Sequence, residues 1–138
     1  MRLLFYSSNA NEETARLVRV LEREVQSENL EIYRTVQGLA WRLSELGTDV
    51  DVVTLLASDE HDLLNLLSIR DLLMDQRIIL VLQETSDANI ANAHSLRPRY
   101  LSFAEGSFTD IALVLGKMLE QIQRNGQSET QAVTWGAS

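Results

Sequence analysis

The chain has 138 residues, 45% of them hydrophobic, and a formal net charge of −8. That length suits one compact domain with a sizeable core. The acidic balance disfavours nucleic acid and anionic lipid as partners, no apolar run approaches the ~20 residues of a membrane helix, and the absence of cysteine excludes disulfides and thiolate metal sites, which fits a cytoplasmic protein.

Five short apolar runs alternate with five helical patterns, and that alternation predicts a parallel α/β sheet. The first run, Arg2 to Ser7, reads as a strand rather than a signal peptide. The helix after it opens at NANEETARL, with Asn9 or Asn11 as cap and Glu12 and Glu13 in the first turn, where the helix dipole favours anions. Ala15, Val18, Leu21 and Val25 mark its inward face. The second run, LEIYRT from Leu30, alternates as an edge strand does. Its helix, Val36 to Leu46, turns Leu39, Ala40, Leu43 and Leu46 inward and stops at Gly47. Trp41 lies beside that face and is expected to pack.

The third run, VDVVTLLA from Val50, is nearly continuous in apolar character, as a central strand covered on both faces must be. A single helix from Asp59 to Asp75 follows, with Ser58 and Asp59 where a cap belongs and Asp59, Glu60 and Asp62 pairing with the helix dipole. The fourth run is RIILVLQ from Arg77, followed by a short helix from Asp87 to Ser95. The fifth is RYLSF from Arg99. The last helix starts near Ser107 and aligns Phe108, Ile111, Ala112, Leu115, Leu119 and Ile122. Residues 1–124 thus form one domain. From Asn125 to Ser138 no pattern is sustained, and a flexible tail containing Trp135 is expected. Right-handed crossovers wind the five units into a doubly wound (βα)5 three-layer sandwich with strand order 2-1-3-4-5. In such a sheet, sites lie at the carboxyl ends of the first, third and fourth strands.

The pattern from Arg2 to Gln123, and most of all RIILVLQETSDANIANAHSLRPRYLSFAEGSFTDIALVLGKML from Arg77 to Leu119, resembles the receiver domains of bacterial response regulators, which have a CheY-like, flavodoxin-like fold. The resemblance implies where the reaction centre would be, and four functional positions depart from it. Acidic residues that help bind Mg²⁺ after the first strand are replaced by Ser7, Ser8 and Asn9. The phosphate-accepting aspartate is replaced by Leu55 or Leu56. The serine or threonine after the fourth strand is replaced by Gln83, and the lysine of the fifth by Phe103. Mg²⁺ requires hard oxygen ligands, and phosphoryl transfer requires an in-line nucleophile with positive charge nearby. The expectation is therefore a pseudo-receiver with no cofactor, metal or catalytic residue, working in signal transduction by protein contacts. By position in the resemblance, Asn89, Asn92, Tyr100 and Lys117 belong to its recognition face, with Tyr100 at the aromatic switch position.

The third helix adds a second expectation. LLNLLSIRDLLM places apolar residues around most of its circumference, which predicts that Leu66, Ile69 and Leu73 meet a partner or a second copy in a homodimer. The alternative function is a flavodoxin-like binder of a phosphate-bearing small molecule through the Ser7–Thr14 loop, with Ser7, Ser8, Asn9 and Asn11 as its polar groups. That loop lacks the glycine that lets a backbone approach phosphate closely. His61 and His94 have no ligand spacing between them and read as surface or capping residues. No Ser-His-Asp order, glycine-rich phosphate motif or zinc spacing occurs.

Overall fold

In the computed structural model, which describes residues 2–45, 50–104 and 107–137, with side chains as far as Arg124, five parallel strands form one sheet in the order β2-β1-β3-β4-β5. The elements in chain order are β1 (Leu3–Ser7), α1 (Glu12–Glu24), a 3-10 turn at Ser27–Asn29, β2 (Leu30–Tyr33), α2 (Val36–Leu43), β3 (Val52–Ala57), α3 (Glu60–Leu67), α4 (Arg70–Leu73), β4 (Ile78–Leu82), α5 (Asp87–Ser95), β5 (Tyr100–Phe103) and α6 (Thr109–Ala137). The expected sandwich and strand order are both present.

Strand alternation divides the core in two. Leu4 and Tyr6 of β1 and Val53, Leu55 and Ala57 of β3 face one cluster, sealed by α2, α3, α4 and α5. Leu3 and Phe5 of β1 and Val52 and Leu56 of β3 face the other, sealed by α1 and α6. Every residue of β1, β3 and β4 is buried, which is why those runs read as continuous apolar stretches. The edge strand β2 is half-exposed and is clipped to its neighbours by Glu31. That carboxylate accepts from Arg2 at 2.9 Å, Arg42 at 2.9 Å and Tyr33 at 2.7 Å. Burial alone would push the Glu31 carboxyl up, but the bonds from Arg42, Tyr33 and Arg2 outweigh it and hold the group below its ordinary range.

Several expectations change in detail. The inward face of α1 is Thr14, Leu17 and Leu21, with Val25 just past its end, while Ala15 is exposed. Val36 begins α2, but its described helix ends at Leu43, and Leu46 and Gly47 lie outside the described residues. Trp41 does not pack: it is 75% exposed, while Leu39 and Leu43 are the buried residues of that short helix and Val36 packs at the core's margin.

The predicted helix from Asp59 to Asp75 is two helices. Ser68 donates its hydroxyl to the Asn65 carbonyl, and Ile69 leaves helical geometry at φ −111°, ψ 20°. Serine competes in this way with the helical ladder. Leu63, Leu66 and Leu73 enter the core, Leu67, Ile69 and Leu72 pack at its margin, and Leu64 and Met74 are left exposed at 46% and 63%. Leu66 and Leu73 therefore cannot present a partner surface in this state, contrary to the expectation for the all-round apolar helix. At the other end of the chain, helical backbone continues through 125–137, across the segment read as a tail.

Candidate functional site

The carboxyl ends of β1 and β3 lie side by side, with Ser7 opposite Leu56. Strand order reverses here, and this is where ligands bind in open α/β sheets. Leu55 and Leu56 stand within β3, not at its top. The strand continues to Ala57, which is opposite Leu82 of β4, and Ser58 follows. The strand-top residue is thus alanine rather than leucine, still without a carboxylate. Gln83 follows β4 and donates its backbone N–H to the Ala57 carbonyl at 3.0 Å, and Phe103 ends β5 with its ring partly exposed.

A carboxylate does reach this region, from the next helix. Asp59 caps α3, accepting from the Asp62 backbone N–H at 2.8 Å, as its sequence position predicts. Asp62 does something else. It is only 5% exposed and turns inward. Its Oδ1 accepts from the Tyr6 hydroxyl at 2.5 Å, and its Oδ2 accepts from the Ser8 hydroxyl at 3.0 Å and the Ser58 backbone N–H at 3.0 Å. One side chain thus joins β1, the β1–α1 loop, the β3–α3 loop and α3. Burial pushes the Tyr6 hydroxyl far above its ordinary range, and the hydrogen bond to Asp62 and the Asp62 charge push it further in the same direction. The sequence reading grouped Asp62 with the capping residues and missed this role. A signal was available in Tyr6: a tyrosine inside a fully buried strand must find a partner for its hydroxyl.

The serines after β1 part company. Ser7 faces α1, where its buried hydroxyl lies 2.7 Å from the Thr14 hydroxyl and 2.9 Å from the Asn9 carbonyl. Asn11 accepts from the Thr14 backbone N–H at 3.0 Å and so caps α1. Ser8 faces the other way, onto Asp62. The polar groups of the Ser7–Thr14 loop are therefore largely engaged with one another.

A crevice of about 470 Å³ opens beside this hub, between α2 and α3. Tyr6 and Asp62 line its base, Val36 and Ala40 one wall, and Asn65, Ser68 and Ile69 the other. Ser8, Asn9, Arg34, Thr35, Gln37, Asp59 and His61 complete the lining, so His61 is a surface residue of this crevice, while His94 is exposed at the end of α5. Leu56 and Gln83 do not line it. Among the described residues, no group of three His, Cys, Asp or Glu side chains is placed to hold a metal ion.

The other candidate residues lie elsewhere. Tyr100 donates to Asp110 at 2.8 Å, and Ser102 donates to the same oxygen at 2.6 Å. The bond to Asp110 pushes the Tyr100 hydroxyl up, with burial adding to it. Burial would raise the Asp110 carboxyl, but the bonds from Ser102 and Tyr100 and from backbone N–H groups hold it below its ordinary range. Asn89 is buried, not a surface residue, and ties the β4–α5 loop by donating to the Glu84 carbonyl at 3.1 Å. Asn92 is half-buried on α5, and Lys117 is exposed on α6.

No protein-family model matches the chain, and no curated protein is similar to it. Solved structures share its fold. The "Putative pilus assembly-related protein" of Burkholderia pseudomallei K96243 is 16% identical with a TM-score of 0.57, over 86% of this chain and 90% of that one. A fusion carrying the yeast Spc42 trimeric coiled coil is 13% identical with a TM-score of 0.63, over 99% of this chain and 91% of that one. At these identities the similarity shows the fold alone: a small α/β domain of flavodoxin-like, CheY-like architecture.

Proposed function

We propose that the chain is a non-catalytic pseudo-receiver that acts in bacterial signal transduction by protein contact, in the cytoplasm, without a phosphorylation switch. The observation that carries this reading is the state of the strand tops. Ala57 ends β3 with no oxygen nucleophile, Ser7 is turned into the α1 side, and the buried carboxylate nearby, Asp62, already accepts three hydrogen bonds. Phosphoryl transfer requires a positioned nucleophile and a cation at this place. With neither residue set among the described residues, a change of state would come from a partner that binds two conformations unequally. The exposed Trp41 supports contact as the mode of action, since tryptophan is enriched where binding energy concentrates. Incubation with acetyl phosphate and Mg²⁺, followed by intact-mass measurement, tests the proposal. The expected result is an unchanged mass, and a stable added phosphoryl group on the folded domain refutes it.

A further inference from the structure

We propose that the crevice between α2 and α3 binds a mononucleotide-sized organic phosphate. Its volume of about 470 Å³ falls within the range of small-molecule sites, ~300–1,000 Å³. It sits where the strand order reverses, the place at which open α/β sheets take ligands. Its two walls come from different helical segments and both carry aliphatic side chains, Val36 and Ala40 on one and Ile69 on the other. Such walls suit a flat, apolar-faced ring between them. Amides from three separate elements, Asn9, Gln37 and Asn65, supply both donors and acceptors for ring edges and hydroxyl groups.

Arg34 is the cationic side chain of the lining and the group that would meet an anionic end, alongside the carboxylates of Asp59 and Asp62. Arg34 is exposed there and has no carboxylate partner among the described residues, although the chain is strongly acidic. Its planar fork matches phosphate oxygens. The acids nearby are already engaged: Asp62 is sealed at the base by three donors, and Asp59 accepts the capping bond of α3. The helix that begins at this mouth, α2, has no acidic residue in its first turn to repel an anion. The site takes Ser8 and Asn9 from the Ser7–Thr14 loop, whose Ser7, Asn11 and Thr14 side chains are turned onto one another. It is also independent of the protein-contact reading: that reading is tested by the absence of covalent phosphorylation and this one by equilibrium binding, so either fails alone.

Calorimetric titration of the full chain with AMP tests the proposal, with adenosine and inorganic phosphate as comparison ligands. AMP is expected to bind saturably at one site, and adenosine to bind on the order of ten- to a hundredfold more weakly, the loss that follows from removing one charge-assisted pair. Arg34→Gln, at an exposed position, is expected to weaken AMP by a similar factor and leave adenosine unchanged. Ala40→Phe is expected to abolish AMP binding by filling the crevice, with circular dichroism confirming the fold. Absence of saturable AMP binding at millimolar concentration overturns the proposal. So does equal affinity for AMP and adenosine, binding of inorganic phosphate as tight as that of AMP, or AMP affinity indifferent to Arg34→Gln.

Discussion

Removing the Asp62 carboxylate is the sharpest perturbation of the hub. In Asp62→Ala three donors lose their acceptor. Ser8 is exposed and can turn to water, so its loss costs little. Tyr6 is only 2% exposed, so its hydroxyl is poorly placed to do so. The Ser58 N–H sits in the half-buried β3–α3 loop and is only partly able to. A buried donor left without a partner costs ~1–3 kcal/mol, so the two together predict a loss of about 2–5 kcal/mol. Tyr6→Phe removes one charge-assisted bond while leaving Asp62 two donors, and about 1.5–3 kcal/mol is expected. Because Tyr6 and Asp62 touch, the double variant should lose clearly less than the sum of the singles. Urea unfolding followed by circular dichroism measures all of these, with a constant slope showing that only stability has changed. A loss below about 0.5 kcal/mol for Asp62→Ala, the range of an ordinary surface substitution, would refute the hub.

Three further outcomes are expected. Thr54 is fully buried in β3, and its hydroxyl has no partner among the described residues, so Thr54→Val should stabilise the chain by ~1 kcal/mol in the same urea assay. Leu66→Ala should cost ~2–5 kcal/mol as a core truncation and leave the sedimentation coefficient of the folded protein unchanged, whereas a change in assembly without a change in stability would return Leu66 to the surface. The pH dependence has two limbs. Burial, reinforced by the hydrogen bond to Glu31 and its charge, pushes the Tyr33 hydroxyl up to about 12, so its contribution is complete below the ordinary tyrosine range and is lost as pH rises through about 12. Tyr33→Phe should flatten the alkaline limb of a stability-versus-pH curve. Asp110 is depressed, so its contribution is present above the ordinary carboxylate range and is lost as pH falls through its lowered value. Asp110→Asn should flatten the acid limb.

Strand order was legible because burial on both faces leaves a plain mark: β1, β3 and β4 have no polar alternation, while β2 does. The break between α3 and α4 was not legible. It depends on one serine hydroxyl returning to a carbonyl three residues back, and the apolar count around that helix is the same whether or not the bond forms. Leu63, Leu66 and Leu73 share one helical face at ~100° per residue, and an apolar residue on nearly every face hid which of them meets the core. Trp41 was misread because the amphipathic pattern of α2 continues on paper past Leu43, the end of its described helix. At the site, the lost strand-top carboxylate could be read directly. Asp62 could not, since an acidic residue in a first helical turn has the same sequence signature whether it faces solvent or the sheet. Helical backbone across 125–137 was not foreseen because that stretch offers no apolar period to read.

The bonding of Asp62 also bears on what the crevice can do. A divalent cation needs carboxylate lone pairs. Here Tyr6 occupies Oδ1, while Ser8 and Ser58 share Oδ2. Oδ2 already has two donors, so a cation taking it would displace Ser8 or Ser58, while Oδ1 keeps one lone pair beside the Tyr6 hydroxyl. The same geometry makes Asp62 a mechanical link. Ser8 lines the crevice, Asp62 forms part of its base, and Asp62 is a residue of α3. A ligand that repositions Ser8 or the Asp62 carboxylate must therefore act on the start of α3. If a partner protein reads α3 or the neighbouring α2, ligand and partner share one coupling free energy, and each must alter the affinity of the other by the same factor.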